Sequence, residues 1–434
     1  MQTIILLLVA TQVVISAAAS FAPKLKIPAP LILVLAGIGV SLIPKMPDVV
    51  IDPEIIMLGI LPPLLYASAT SVPVMNFRRD FRAISALSVV LVVFTSLALG
   101  SLFHHLIPGI SLGWGVALGA ILSPTDAVAT SIIEGRGVPG RVSVLLDCEG
   151  LLNDASALIV LRTAIVATAL GFSFWPTVGS FFLSIAIAFV FGKLAATLNL
   201  AIRKRVREEA VNTILSFTTP FAAALPAEHF HGSGLVAAVI AGFFTGMKAP
   251  RELPPGHRVS DAQNWATVEL GLEGAIFLTM GLQLATIVRQ IDQETIGLAR
   301  GFEIAVLALL VTLAVRAVYV GPLLRGSNRR AKKKISHQAE LATMQEQLRA
   351  GQIPDQIAKR AQKFHMPTNE RALKRFETRI QRYLADLDYL ASQPFGRRET
   401  TIVVWAGMRG AVTVAAVQLL PPETPHRPLL VFIA

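Results

Sequence analysis

Twelve apolar runs of about twenty residues, bounded by charge or by Pro/Gly clusters, divide this chain of 434 residues. They read approximately as 1–20, 28–43, 51–71, 83–107, 112–131, 142–170, 176–200, 211–228, 233–247, 266–288, 301–324 and 401–421. In hydrocarbon every backbone N–H and C=O must be satisfied within the protein, and an apolar run of this length does so as a helix. The expected fold class is therefore an all-α polytopic membrane protein with about 12–13 transmembrane helices. A thirteenth run starts near Pro428 and stops at Ala434, too short to cross. The expectation there is a chain incomplete at its C-terminus, or a segment that only enters the membrane. A signal peptide is the rival reading of Met1 to Ser20, but the run lacks a basic start and the next span follows at once, which favours a retained helix.

The loops test the count, because alternate connections should be rich in Lys and Arg if the spans are real. One set holds Lys24 and Lys26; Arg78, Arg79 and Arg82; Arg136 and Arg141; Arg203, Lys204, Arg205 and Arg207; Lys248, Arg251 and Arg258; and the long stretch from Arg325 to Arg398. The other set holds only Lys45, Arg289, Arg300 and Arg427. An error of one helix would scramble this alternation. It places the N-terminus outside the cell membrane and residues 326–400 in the cytoplasm. The net charge of +11 is accordingly a topology signal rather than a nucleic-acid footprint. Residues 326–400, which begin with Arg329, Arg330 and Lys332 to Lys334, carry a thin apolar pattern at helical spacing. They are expected to form one or two amphipathic helices, in a solvated regulatory loop held near anionic lipid rather than in a protein-binding module.

Within this frame the stretch from Leu146 to Arg162 stands out, since Asp147, Glu149 and Asp154 lie inside an apolar segment. A charge at mid-membrane costs about 2.5–3.5 kcal/mol on insertion scales, so each should have a partner, a proton or a task. Asn153 and Asp154 fall at the middle of the span, where a water-filled cavity would have to reach them. Proton and cation exclude one another at a single carboxylate, and such competition at Asp154 suffices for exchange if the site opens to one side at a time. Glu149 is about 140 degrees round the helix from Asp154 and should face another element. Its expected role is a structural ion pair, with Arg409 as partner. A buried structural ion-pair network is the bland alternative for the whole cluster.

Two spans are interrupted. Ser123-Pro124-Thr125-Asp126 falls mid-membrane, where Pro124 removes a donor and should unwind the helix, leaving carbonyls and the Thr125 hydroxyl facing a cavity beside Asp126. Gly407-Met408-Arg409-Gly410 interrupts the span that follows the cytoplasmic segment. Broken spans at corresponding places are the sign of an inverted-repeat transporter, here with spans four to six and eleven to thirteen as halves and two discontinuous helices crossing. At such a crossing Asp126 and Arg409 have the signs needed to offset the helix-dipole ends, and that structural role is preferred for Arg409.

At these residues the chain resembles the monovalent cation:proton antiporter family that includes the sodium/hydrogen exchangers. Leu61-Pro-Pro-Leu-Leu65 is similar to the family's early proline-proline span, Ser123-Pro-Thr-Asp-Ala-Val-Ala129 to its unwound helix, Glu149-Gly-Leu-Leu-Asn-Asp154 to its Asn-Asp signature, and Gly407-Met-Arg-Gly-Ala-Val-Thr413 to its second broken helix. The resemblance implies a homodimer in which a moving core domain works against a scaffold, exchanging Na+, or K+ or Li+, for H+ across the cell membrane. It implies an ion- and proton-binding set of Asp154, Asn153, Asp126 and Thr125, with the transported Na+ on Asp154 as the one metal. An Asn before the Asp goes with electroneutral exchange. On this basis residues 1–75 and 172–295 form the scaffold and dimerisation helices with a linker helix. Residues 76–171, 296–325 and 401–434 form the core, and 326–400 its cytoplasmic insertion. Two positions depart from the family pattern: Gly150 stands where many members have Ser after the Glu, and Tyr66 and Ala67 stand where many have an acidic residue after the proline pair.

Two other classes share parts of this pattern. A passive cation channel would use the same polar residues to line a continuous pore, but paired breaks and a single central carboxylate suit one site with two gates. An organic-anion symporter on a similar core would bind substrate at Arg409. No residue set is arranged for covalent catalysis, so no enzyme and no cofactor is expected. The single cysteine, Cys148, excludes a disulfide framework. His229 and His231 in a short external loop are not expected to hold a metal.

Overall fold

The computed structural model describes residues 2–25, 27–42, 54–124, 139–170, 174–292, 297–336, 338–349, 370–406, 411–421 and 424–434. The described residues are helical throughout, with no strand, and the chain is an all-α polytopic membrane protein. Val74–Leu106, Gly179–Arg203, Pro255–Leu284 and Leu298–Ile335 are long and apolar enough to cross a membrane on composition alone. Gly140–Leu170 is as long but carries the acidic cluster.

Numbered in chain order, the helices before the central span are α1 (Gln2–Leu25), α2 (Ala29–Ser41), α3 (Ile55–Ser71), α4 (Val74–Leu106) and α5 (Leu112–Leu122). The central span itself is α6 (Gly140–Leu170), followed by α7 (Phe174–Arg203), α8 (Glu209–His229), α9 (Gly234–Glu252), α10 (Pro255–Asp292) and α11 (Leu298–Ile335). Two helices, α12 (Gln338–Arg349) and α13 (Glu370–Ser392), fill the basic insertion. The chain closes with α14 (Arg397–Trp405), α15 (Ala411–Gln418) and α16 (Arg427–Ile433).

Two groups of helices emerge from the packing. In one, α9 packs on α3, α7 and α8, while α10 packs on α2, α3 and α8. In the other, α5 lies between α4 and α6, and α11 joins α4 and α14. Small residues set the spacing in the second group: a Cβ added to Gly115 on α5 would come within 2.5 Å of the Gly100 carbonyl oxygen on α4. Gly115→Val should force α4 and α5 apart at a cost of about 1–3 kcal/mol, read as a fall in the melting temperature of the detergent-solubilised protein.

Local geometry follows the proline and charge pattern. Pro62 and Pro63 lack donors and crowd the carbonyls one turn back, and the helix widens into π turns over Ile55–Ile60 just before them. The basic connection read at Arg78, Arg79 and Arg82 is not a loop. These residues sit on an amphipathic helical stretch, Val74–Ser85, that runs on through π turns at Ala86–Val90 into the apolar span. Periodicity of an apolar run cannot reveal a polar helical extension of it.

The end of the insertion packs on the membrane helices. Arg141, at the start of α6, makes a bidentate pair with Asp80 of α4, with Nε–Oδ2 at 2.8 Å and Nη2–Oδ1 at 2.5 Å. Its backbone N–H and Nη1 donate to the side-chain and main-chain oxygens of Gln393, and the Phe395 ring lies 4.1 Å from its guanidinium carbon. Asn328 of α11 exchanges two hydrogen bonds with the Phe395 backbone. Arg79 pairs with Asp386 at 2.5 Å and stacks on Tyr389 at 4.6 Å. Burial, with Asp80 nearby, pushes the Tyr389 phenol above its ordinary range. The end of the insertion is thus strapped to α4, α6 and α11 together. Arg79→Ala should loosen α13 by about 1 kcal/mol, because the pair is part-exposed and only the ring contact adds to it. Faster limited proteolysis within 370–392 would show this.

Candidate functional site

Helix α6 presents two different faces. Asp147, Gly150, Leu151 and Asp154 recur at spacings of three and four and share one stripe, while Glu149 and Asn153 share another. Adjacent residues on a helix point about 100 degrees apart, so Asn153 and Asp154 serve different surroundings. Asn153 is 1% exposed and faces protein, whereas Asp154 is part-exposed.

The Asp154 stripe lines a cavity of about 210 Å³ between the two helix groups. Across from Asp147 and Asp154 stand Ser68 and Ser71 of α3 and Glu269 and Glu273 of α10, with Val412 of α15 completing the wall. The Ser68 hydroxyl donates to Glu269 Oε1 at 2.8 Å. The cavity reaches Val72 and Pro73, next to the basic residues of α4, and so lies toward the side of the basic loops. Four carboxylates around a space large enough for several waters form a region of negative potential that favours a cation over an anion.

The other stripe is structural. Glu149 is fully buried and receives Arg316 Nη1 at 2.6 Å and Nη2 at 3.0 Å, a fork-to-fork pair from α11. Arg316 Nε also donates to the Val403 carbonyl oxygen at 2.8 Å. Val403 lies in the last turn of α14, where carbonyls lack helical partners and the dipole end is negative. One guanidinium therefore neutralises Glu149 and caps the helix that ends before residues 407–410. The sequence expectation gave Glu149 to Arg409; among the described residues the cation that meets it is Arg316. Arg409 lies outside the described residues, as do Thr125 and Asp126. Helix α5 ends at Leu122, two residues short of Pro124, and α15 packs against α5, so the two interrupted spans are neighbours.

Of the two departures from the family pattern, one lines this cavity and the other lies beside it in α3. Gly150 lines it without a hydroxyl to offer. Tyr66 is fully buried with its ring 4.9 Å from that of Trp265, and Ala67 is buried, so this part of α3 brings no carboxylate. The carboxylate reaching this part of α3 is Glu269, from α10. Sequence reasoning passed over Arg316, Glu269 and Glu273. A lone cation inside the run 301–324, and two acids one turn apart inside 266–288, were the available signals.

Comparison with known proteins points one way. Residues 9–374 match the family model described as sodium/hydrogen exchanger, transmembrane. The chain is 35% identical over 299 residues to the uncharacterized Na+/H+ exchanger YjcE of Escherichia coli, covering 65% of this chain and 54% of that protein. It is 32% identical over 277 residues to the sodium, potassium, lithium and rubidium/H+ antiporter of Bacillus pumilus, covering 62% and 41%. The chain thus spans about half the length of these curated relatives. Among solved structures, that of the sodium proton antiporter MjNhaP1 from Methanocaldococcus jannaschii at pH 8 superposes with a TM-score of 0.62 over 93% of this chain and 99% of that one, at 18% identity.

Proposed function

Because the chain belongs to the sodium/hydrogen exchanger family, we propose that it is a secondary active transporter exchanging a monovalent cation, Na+ first, for H+ across the cell membrane. The observation that carries this reading is the placement of Asp154, midway along a long buried helix and at the end of a carboxylate-lined cavity open toward one side. A carboxylate so placed binds either a proton or a cation, and exchange follows when the helices around it alternate the side to which it opens. The name of the Bacillus relative extends the candidate cations to K+, Li+ and Rb+.

In this reading α4, α5, α6, α11, α14 and α15 are the core, and α1 to α3 with α7 to α10 are the scaffold. Asn153, Asp126 and Thr125 complete the binding set, Arg409 offsets a dipole end at the crossing, and two chains associate through their scaffolds. The N-terminus lies outside and residues 326–400 lie in the cytoplasm, which puts the mouth of the cavity on the cytoplasmic side. Glu269 of α10, held by the Ser68 hydroxyl, supplies the carboxylate that α3 lacks at Tyr66 and Ala67. Glu269→Gln should raise the half-saturating cation concentration by about threefold to tenfold, the range for one unpaired charge near a low-dielectric cavity, with the maximal rate little changed.

The decisive assay is reconstitution into liposomes carrying a pH-sensitive dye, with Na+, Li+ or K+ added in turn against a preset proton gradient. Dissipation of the gradient by a cation supports exchange and names the substrate. Cation flux that is independent of the proton gradient would instead make the protein a channel.

A further inference from the structure

The boundary between the two helix groups is open at one end and tied at the other. Toward the basic loops the cavity separates α6 from α3 and α10. Arg162 lies eight residues beyond Asp154, about 12 Å farther along α6 in the opposite direction. Its Nη2 donates to both carboxylate oxygens of Glu228, each at 2.8 Å. Nη1 reaches the Gly232 carbonyl oxygen at 3.4 Å, and Nη2 stands 3.6 Å from Met57 Sδ. Glu228 is in the last turn of α8, Gly232 in the turn before α9 and Met57 near the start of α3. One cation of the core thus holds three elements of the scaffold.

The carboxylate it grips is itself fixed. Glu228 Oε1 accepts the Gly234 N–H at 3.0 Å, at the N-terminus of α9, where the helix end favours an anion. The two side chains are 35% and 23% exposed, unlike the sealed Glu149–Arg316 pair. A part-exposed pair adds less to folding than a sealed one, and parting it costs less than parting a fully buried pair. It has the properties of a contact made and broken in turnover rather than of a permanent brace.

We infer that Arg162 and Glu228 form a latch that closes the far side of the transport pathway, holds the protein in its cavity-open arrangement and parts once in each transport cycle. The inference rests on the alternating-access reading above. Any displacement of α6 that opens a path from Asp154 to the far side must draw Arg162 away from α8 and α9. Glu228 keeps its bond to Gly234 when this happens, so the scaffold side of the latch stays set for reclosure.

The test joins the two positions covalently. Arg162→Cys and Glu228→Cys are combined with Cys148→Ala, which removes the chain's one cysteine. Exchange is measured in liposomes with thiols reduced, after a short bifunctional methanethiosulfonate, and after reductant. Cross-linking should lower exchange by about tenfold or more, with recovery on reduction. Undiminished exchange by the cross-linked protein overturns the latch and leaves the exchange reading standing. Failure of the reduced protein and of its Cys148→Ala parent to exchange at all counts against that reading instead. A second measurement needs no transport. Ser71→Cys, at the cavity wall, is labelled with a membrane-impermeant maleimide from the cavity side, with and without Glu228→Gln, which keeps an acceptor for Gly234. Loosening the latch should slow labelling by about twofold to fivefold, and an unchanged rate refutes it.

Discussion

Liposomes carrying Asp154→Asn should hold a preset pH gradient on addition of any alkali cation, at the level of protein-free liposomes, while the wild type collapses it. Asparagine keeps the size and hydrogen-bonding reach of the side chain but neither ionises nor neutralises a cation. Loss of exchange in a protein that still elutes and melts as the wild type does would therefore locate the competition at this carboxylate. The neighbouring carboxylates line the same cavity, and if one of them were the exchange site, Asp154→Asn would keep most of its activity. The same competition gives a graded result in the wild type. Where the proton dominates the site, each unit of rising pH should lower the half-saturating cation concentration by about tenfold, as mass action at one group requires. A half-saturation that does not move with pH would mean that cation and proton use separate sites.

Arg316→Met should cost about 3–5 kcal/mol of stability, because it removes the guanidinium fork that meets the fully buried Glu149 carboxylate. It also strips the cap from the last turn of α14. The double variant Glu149→Leu with Arg316→Met should recover a large part of that loss, since exchanging both charges for apolar groups of similar volume is often close to neutral. Thermal unfolding in detergent compares both single variants, Arg316→Met and Glu149→Leu, and the double variant with the wild type. A double variant as unstable as the two single losses added together would show that the pair acts as two independent anchors. Exchange by the double variant, once folded, would separate the structural stripe of α6 from the stripe that meets the ion.

What was legible in the sequence was what depends on one helix at a time. Run lengths and alternating basic loops gave the helices, and an intramembrane carboxylate beside Asn153 drew attention to Asp154, which lines the cavity. Partnership between helices was not legible. The burial of Glu149 demands a cation, yet nothing in its own span says whether the cation comes from Arg316 or Arg409, because that depends on which helices become neighbours. Proximity to a recognisable break drew the expectation to Arg409, while Arg316, alone in an apolar run, was as good a candidate on charge alone. Glu269 was hidden for a similar reason, since its relevance comes from Ser68, 201 residues away. The helical extension carrying Arg78, Arg79 and Arg82 has a polar composition and looked like a connection, although its apolar face continues the helical period into the next span.

The strap formed by Gln393 and Phe395 gives the molecule an external handle. Helix α13 is amphipathic with many exposed residues, and it and the segment just after it are fastened through Arg79, Arg141 and Asn328 to three different membrane helices. Whatever those helices do inside the bilayer, α13 does outside it. A fluorophore on its solvent face, paired with a second on the exposed connection between α7 and α8, would convert a buried rearrangement of a few ångströms into an aqueous distance that can be followed one molecule at a time during transport.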